Sequence, residues 1–138
     1  MMFSAKAEYA SLAMLELAAQ YGDPRPLRLV DIAEKHNIPQ RFLVQILLQL
    51  KGAGLTASTR GASGGYQLAR PPEEISLADI LSSVDRVDPP VLDEQDQSSL
   101  SATLHGVWMR IHKSREQILK ETTLAQLVEQ GYGLQYVI

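Results

Sequence analysis

Cysteine does not occur in the 138 residues. Disulfides, thiol nucleophiles, zinc held by thiolates and any all-cysteine iron–sulfur cluster are therefore excluded by chemistry. Long hydrophobic runs are missing too. None approaches the ~18 apolar residues that a bilayer span requires, and no charged-then-apolar leader opens the chain, so the expected location is the cytoplasm with no membrane partner. Nor is there a nucleophile–base–orienter set or a phosphate-loop signature, and the glycine cluster sits in a hairpin instead of a strand-to-helix turn, so an enzyme is not expected. The acidic group Asp88, Asp93, Glu94 and Asp96 lacks the alternating oxygens and central glycine of a calcium loop and reads as a solvated loop.

Positive charge is also scarce overall, with 13 Lys and Arg against 16 Asp and Glu and a net charge of −3. The balance changes when the chain is divided. Residues 1–70 hold eight Lys/Arg and five Asp/Glu, and residues 71–138 hold five and eleven, giving +3 and −6. A cationic amino-terminal half and an acidic remainder suit a chain whose first half meets a polyanion. With 45% hydrophobic residues, the length suits one domain with an extended element attached.

What is present begins with Ser4, a plausible N-cap for AKAEYASLAMLELAAQY, in which Ala10, Ala13, Met14, Leu17 and Ala18 recur at helical spacing. Gly22, Pro24 and Pro26 end that helix. A short helix is predicted over Leu29 to His36, a turn at Asn37, and a second helix over Gln40 to Lys51 with Leu43, Ile46, Leu47 and Leu50 facing inward. Gln40, Arg41, Val44, Gln45 and Lys51 are left for the other faces. In LTAST, the alternation sets Leu55, Ala57 and Thr59 on one side, and YQLA supplies the returning strand across the glycine-rich tip RGASGG. Ser76 with Asp79, and Thr123 with Gln126, read as capping boxes. Between them lie an acidic, proline-bearing loop and a helix on which Leu104, Trp108, Ile111, Ile118 and Leu119 form one stripe. The closing helix is expected to be short, loosened by Gly131 and Gly133.

Two short helices followed by a basic, glycine-tipped hairpin have the layout of a winged helix-turn-helix, which lays its second helix in a DNA groove with the hairpin beside it. The predicted fold is mostly α with a small β-hairpin wing. The segments KAEYASLAML, LVDIAEKHNIPQRFLVQIL and RGASGGYQLARPPEEISLADIL together resemble the Rrf-two (Rrf2) family of bacterial transcription regulators. The likeness is close over residues 1–85 and looser over 104–130. It implies a homodimer in which a long C-terminal helix of each subunit crosses the other, presenting two winged heads to a palindromic site. The family's reading helix falls on Gln40, Arg41, Val44 and Gln45, and its wing on Arg60, Gly61, Gly64, Gly65 and Tyr66; Ser63, in the hairpin tip, is also expected to contact DNA. Residues 1–85 would then form the winged head, 86–103 a flexible acidic loop, and 104–138 the dimerisation helix with a short final helix, paired through Leu104, Trp108, Ile111 and Ile118.

Two departures from the family pattern bear on function. Many members carry a glutamate where this chain has Val44, and an acid can accept from a cytosine amino group whereas valine offers only apolar contact, for instance to a thymine methyl. Cluster-binding members place three cysteines in the loop matching Asp88–Thr103, and none is present here. His105 and Glu8 match positions that supply further ligands in some members, but without thiolates an iron–sulfur cofactor is not expected. His105 and His112 are seven apart on one helix face, an arrangement that can bind metal between subunits and more commonly lies in a dimer seam.

Phosphate contacts are expected from Lys6, Arg28, Arg41, Lys51 and Arg60, and base contacts from Gln40, Arg41, Val44 and Gln45. Gly64 and Gly65 are expected to supply positive φ at the hairpin tip. The runner-up reading is a winged-helix interaction module whose DNA binding depends on a protein co-regulator.

Overall fold

The computed structural model describes residues 3–62, 64–96 and 98–137, with side chains to residue 132. Among these residues six α-helices and one β-hairpin follow each other as α1 (Ala5–Ala19), α2 (Leu29–His36), α3 (Gln40–Gly52), β1 (Thr56–Thr59), β2 (Gly65–Leu68), a 3-10 turn (Pro72–Glu74), α4 (Leu77–Val84), α5 (Ser99–Glu121) and α6 (Leu124–Val137).

α1 is the central strut. Its inward stripe is Ala7, Ala10, Ala13, Met14, Leu17 and Ala18, and four alanines there let neighbouring helices approach its backbone closely. Met14, Ile32, Leu43, Ile46, Leu47, Leu50, Ile75, Ile80 and Leu124 are fully buried around it. Burying one such side chain stabilises the fold by about 1.5–3 kcal/mol, so this cluster fixes how α2 and α3 stand on α1. Between α2 and α3, Asn37 takes the left-handed conformation at φ 56°, ψ 41°, which asparagine tolerates better than most residues. Its N–H bonds back to Ala33 O, and the chain turns sharply into Pro39 and α3.

Both expected capping boxes form. Ser76 Oγ accepts from Asp79 N at 3.2 Å while Ser76 N donates to Asp79 Oδ2 at 2.9 Å. Thr123 and Gln126 repeat the exchange at 3.0 and 3.2 Å. The two boxes lie side by side, because Leu77 N donates to Thr122 O and Leu124 N to Ile75 O, which stitches the start of α6 to the start of α4.

Several boundaries and faces differ from the sequence expectation. α5 begins at Ser99, capped by Ser98 Oγ accepting from Ser101 N, so its first turn takes residues expected in the acidic loop. α6 continues through Gly131 and Gly133 to Val137, since a helical glycine costs only about 1 kcal/mol against alanine. On β1 the inward residue is Thr56, with Ala57, Ser58 and Thr59 exposed, because Leu55 enters the core from the preceding turn and not as part of an alternating strand. Leu119 leaves the α5 stripe and packs with Ala7 and Leu81. Residues 85–98 contain no helix or strand among those described, yet the loop is locally ordered: Asp93 and Asp96 accept from the backbone N–H of Gln95 and Ser98. His105 Nε2 donates to Pro90 O at 3.1 Å, a carbonyl being able only to accept.

Candidate nucleic-acid interface

The packing that buries Leu43, Ile46, Leu47 and Leu50 turns Gln40, Arg41, Val44, Gln45 and Lys51 outward on α3. At the end of the helix Leu55 N donates to Leu50 O at 3.0 Å, and Lys51 Nζ donates to Ser58 Oγ at 2.7 Å. These bonds fix the wing relative to α3.

The other side of the wing is tied to the approach of α2. Leu27 and Tyr66 exchange two backbone hydrogen bonds, of 2.9 and 2.8 Å, so the hairpin gains a third strand one residue long. Between this bridge and the hairpin runs an open groove of about 500 Å³ lined by Arg28, Leu29, Ser58, Arg60, Gly61 and Gly65 among others. Arg28 is the N-cap position of α2 and points no side-chain bond at the helix. The groove therefore has an arginine on each bank, one at the start of α2 and one on the wing.

Glycine's role at the tip differs from the expectation. Positive φ falls on Gly61, at 107°, and not on Gly64 or Gly65. Those two are needed for space: a Cβ on Gly64 would stand 2.1 Å from Thr59 O, and one on Gly65 would stand 2.4 Å from Leu27 O. Ser63, also expected in the wing, lies outside the described residues.

Which cations lack a carboxylate partner decides where a polyanion would be held. Of the eight in residues 1–70, three pair with carboxylates within the fold. Arg25 pairs with Asp23 at 2.9 Å, Lys35 with Glu16 at 3.0 Å, and Arg70 reaches Asp79 at 3.7 Å and Glu74 O at 3.3 Å. The remaining five are Lys6, Arg28, Arg41, Lys51 and Arg60, and among the described residues none of them pairs with a carboxylate. They are the five expected to contact phosphate. Arg28 and Arg60 line the wing groove, Lys51 reaches the wing through Ser58, and Arg41 stands on the outward face of α3. Lys6 stands apart, half-buried on the first turn of α1 and not among the groove residues.

Glu16 has a structural part in this arrangement. Lys35 and His36 both reach it, His36 Nε2 at 2.8 Å, so α2 is clasped to α1. Burial pushes its carboxyl up, but hydrogen bonds and charges from Lys35 and His36 outweigh that and hold it below its ordinary value.

On α5, Leu104, Trp108, Ile111 and Ile118 are between 47% and 63% exposed, and Leu100 and Val107 extend the same uncovered stripe. A 23-residue helix with one buried residue, Leu119, is not held by its own chain's core. Sequence reasoning missed Leu100 and Val107 here, and Phe42 and Leu48 on α3, which are also exposed. In the run ILLQL, Leu48 looks like another core position, and only the helix phase separates it from Leu47 and Leu50.

Residues 3–130 match the Rrf2 family, described as iron-dependent transcriptional regulator. The chain belongs to this family of DNA-binding transcription regulators. It is 34% identical over 135 residues to the HTH-type transcriptional regulator CymR of Bacillus subtilis, covering 98% of this chain and 95% of that protein. The solved structure of CymR, the global cysteine regulator of B. subtilis, superposes with a TM-score of 0.83 at 32% identity, covering 94% of this chain and 98% of that one. IscR of T. potens gives 0.78 at 34% identity, covering 95% and 88%. Sequence and structure thus agree on a winged helix-turn-helix regulator.

The iron in the family's description does not fit the residues present. An iron–sulfur cluster needs thiolates, and the chain has none. Among the described residues no group of three or more His, Asp or Glu could hold a metal ion. No helix among them is long and apolar enough to cross a membrane.

Proposed function

We propose that the protein is a homodimeric, cytoplasmic transcription regulator that binds a palindromic DNA site through α3 and the wing. The observation that carries this reading is the distribution of cations that have no carboxylate partner among the described residues. Pairing inside the fold uses up Arg25, Lys35 and Arg70 and leaves Arg28, Arg41, Lys51 and Arg60 around the outward face of α3 and the wing groove. Phosphates held by these side chains fix the register, while Gln40, Arg41, Val44 and Gln45 meet base edges. Lys6 would add a more distant phosphate contact.

Pairing of two chains is supported by the uncovered stripe Leu104, Trp108, Ile111 and Ile118. Large apolar side chains in a continuous row mark an interaction surface, and a two-fold pairing of α5 presents two heads at once. Two-fold symmetry in the protein demands an inverted repeat in the site.

A gel shift with purified protein and no additions tests the reading. Retention of a specific duplex supports it. Retention only after a second protein is added favours the alternative, an interaction module that reads DNA with a co-regulator, for which the exposed Phe42 on α3 is the supporting feature.

A further inference from the structure

We infer that α3 reads 5-methyl groups of thymine through an apolar step made by Val44 and Leu48, so that the operator is recognised partly by hydrocarbon contact. This rests on the DNA-binding reading above and adds to it the chemistry of the bases read.

The core-facing residues Leu43, Ile46, Leu47 and Leu50 fix the phase of α3. At about 100° per residue, Arg41, Gln45 and Leu48 point directly away from that core, and Val44 flanks Leu48. Val44 is 40% exposed and Leu48 56% exposed. Leu48 is thus exposed although Ile46, Leu47 and Leu50 beside it in sequence are buried. Val44 and Leu48 are one helical turn apart, so the side chains are stacked neighbours. Their separation along the axis is about 6 Å, close to two steps of a duplex that rises about 3.4 Å per base pair.

The surroundings identify the occupant. Arg41 and Gln45 share the face, and Lys51, one turn further along α3, bonds Ser58 of the wing, which lines the same groove as Arg28 and Arg60. An apolar step on a helix that also carries Arg41 and Lys51, neither of them paired with a carboxylate among the described residues, suits a surface that is hydrocarbon at its centre and anionic at its edges. The major groove at a thymine has that character, with a methyl at C5 and phosphates on either side. An acid at position 44 would accept from a cytosine amino group; Val44 cannot, and Leu48 extends the same apolar preference by one turn.

The test removes only methyl groups. A duplex selected by the purified protein from random sequence is resynthesised with each thymine in turn replaced by deoxyuridine, and affinity is measured for the native protein and for Leu48→Ala. The variant changes an exposed side chain, and its helical circular dichroism should match the native protein. The inference predicts one or two positions per half-site where deoxyuridine weakens native binding about fourfold. That is the ~0.8 kcal/mol of one buried methyl(ene) group at 1.4 kcal/mol per tenfold. At one of them Leu48→Ala should be indifferent to the methyl. Equal affinity for every deoxyuridine duplex overturns the methyl reading, and equal losses in native and variant proteins at every sensitive position overturn the part given to Leu48; both outcomes leave DNA binding intact. Failure to retain any duplex overturns the DNA reading and this inference with it.

Discussion

Leu27 O lies 2.4 Å from the place a Cβ on Gly65 would occupy, and the next residue, Tyr66, exchanges two hydrogen bonds with Leu27. The wing is thus seated by backbone against backbone, with no room for a side chain between. Gly65→Ala should force the bridge apart at a cost of about 1–3 kcal/mol. Operator affinity should fall at least several-fold while helix content is retained, as circular dichroism beside a binding titration would show.

Arg28 and Arg60, on opposite banks of the groove, differ from Arg25, which Asp23 already occupies. Replacing Arg60 or Arg28 by alanine should weaken binding and make log K less dependent on log salt, by about 0.9 per lost phosphate contact and twice that in a dimer. Arg25→Ala should leave the salt slope where it was. Titrations at four or five ionic strengths give these slopes.

The α5 stripe makes a prediction about mass. Ile111→Glu puts a charge in the middle of an uncovered apolar row and does not touch the chain's own core. Light scattering should find twice the chain mass for the native protein and one chain for the variant. Loss of the second head should reduce operator affinity on the order of a hundredfold.

Glu16 links α1 to α2 and gives the fold a pH dependence of known sign. Its folded-state carboxyl is held below its ordinary value by Lys35 and His36, against burial that pushes it up. Such a group stabilises the fold fully above the unfolded carboxylate value of about 4.3 and loses that contribution as pH falls through the depressed value. Glu16→Gln should therefore lower stability by about 1 kcal/mol at neutral pH. The gap between variant and native should close as pH falls into the acid range, measured by urea titration at several pH values.

Because the chain offers no thiolates, anaerobic incubation with iron and sulfide should produce no visible cluster absorbance. Operator affinity should be the same before and after.

The head was largely legible in the sequence. Leu43, Ile46, Leu47 and Leu50 repeat at helical period, Asn37 marks the turn, and Ser76 with Asp79 announces a cap; each is a local signal, and each is realised. What could not be read locally depends on neighbours. Thr56 faces inward because Leu55 is already placed by Leu50 O, so strand alternation begins out of step. Gly65 is needed because Leu27, 38 positions earlier in sequence, lies against it. α5 starts at Ser99 because Ser98 caps it, a signal hidden among acidic residues and serines. Leu48 is exposed because the phase of α3 puts it opposite the core, and a run of leucines conceals that phase.

Selection of bound fragments from randomised duplex by the purified protein alone tests the central claim most directly, because it reports DNA reading and dimer geometry together. A homodimer with two heads should select an inverted repeat whose half-site centres are about one helical turn, 10–10.5 base pairs, or a multiple of it apart. Recovery of a lone half-site, or no enrichment at low ionic strength, would contradict that claim.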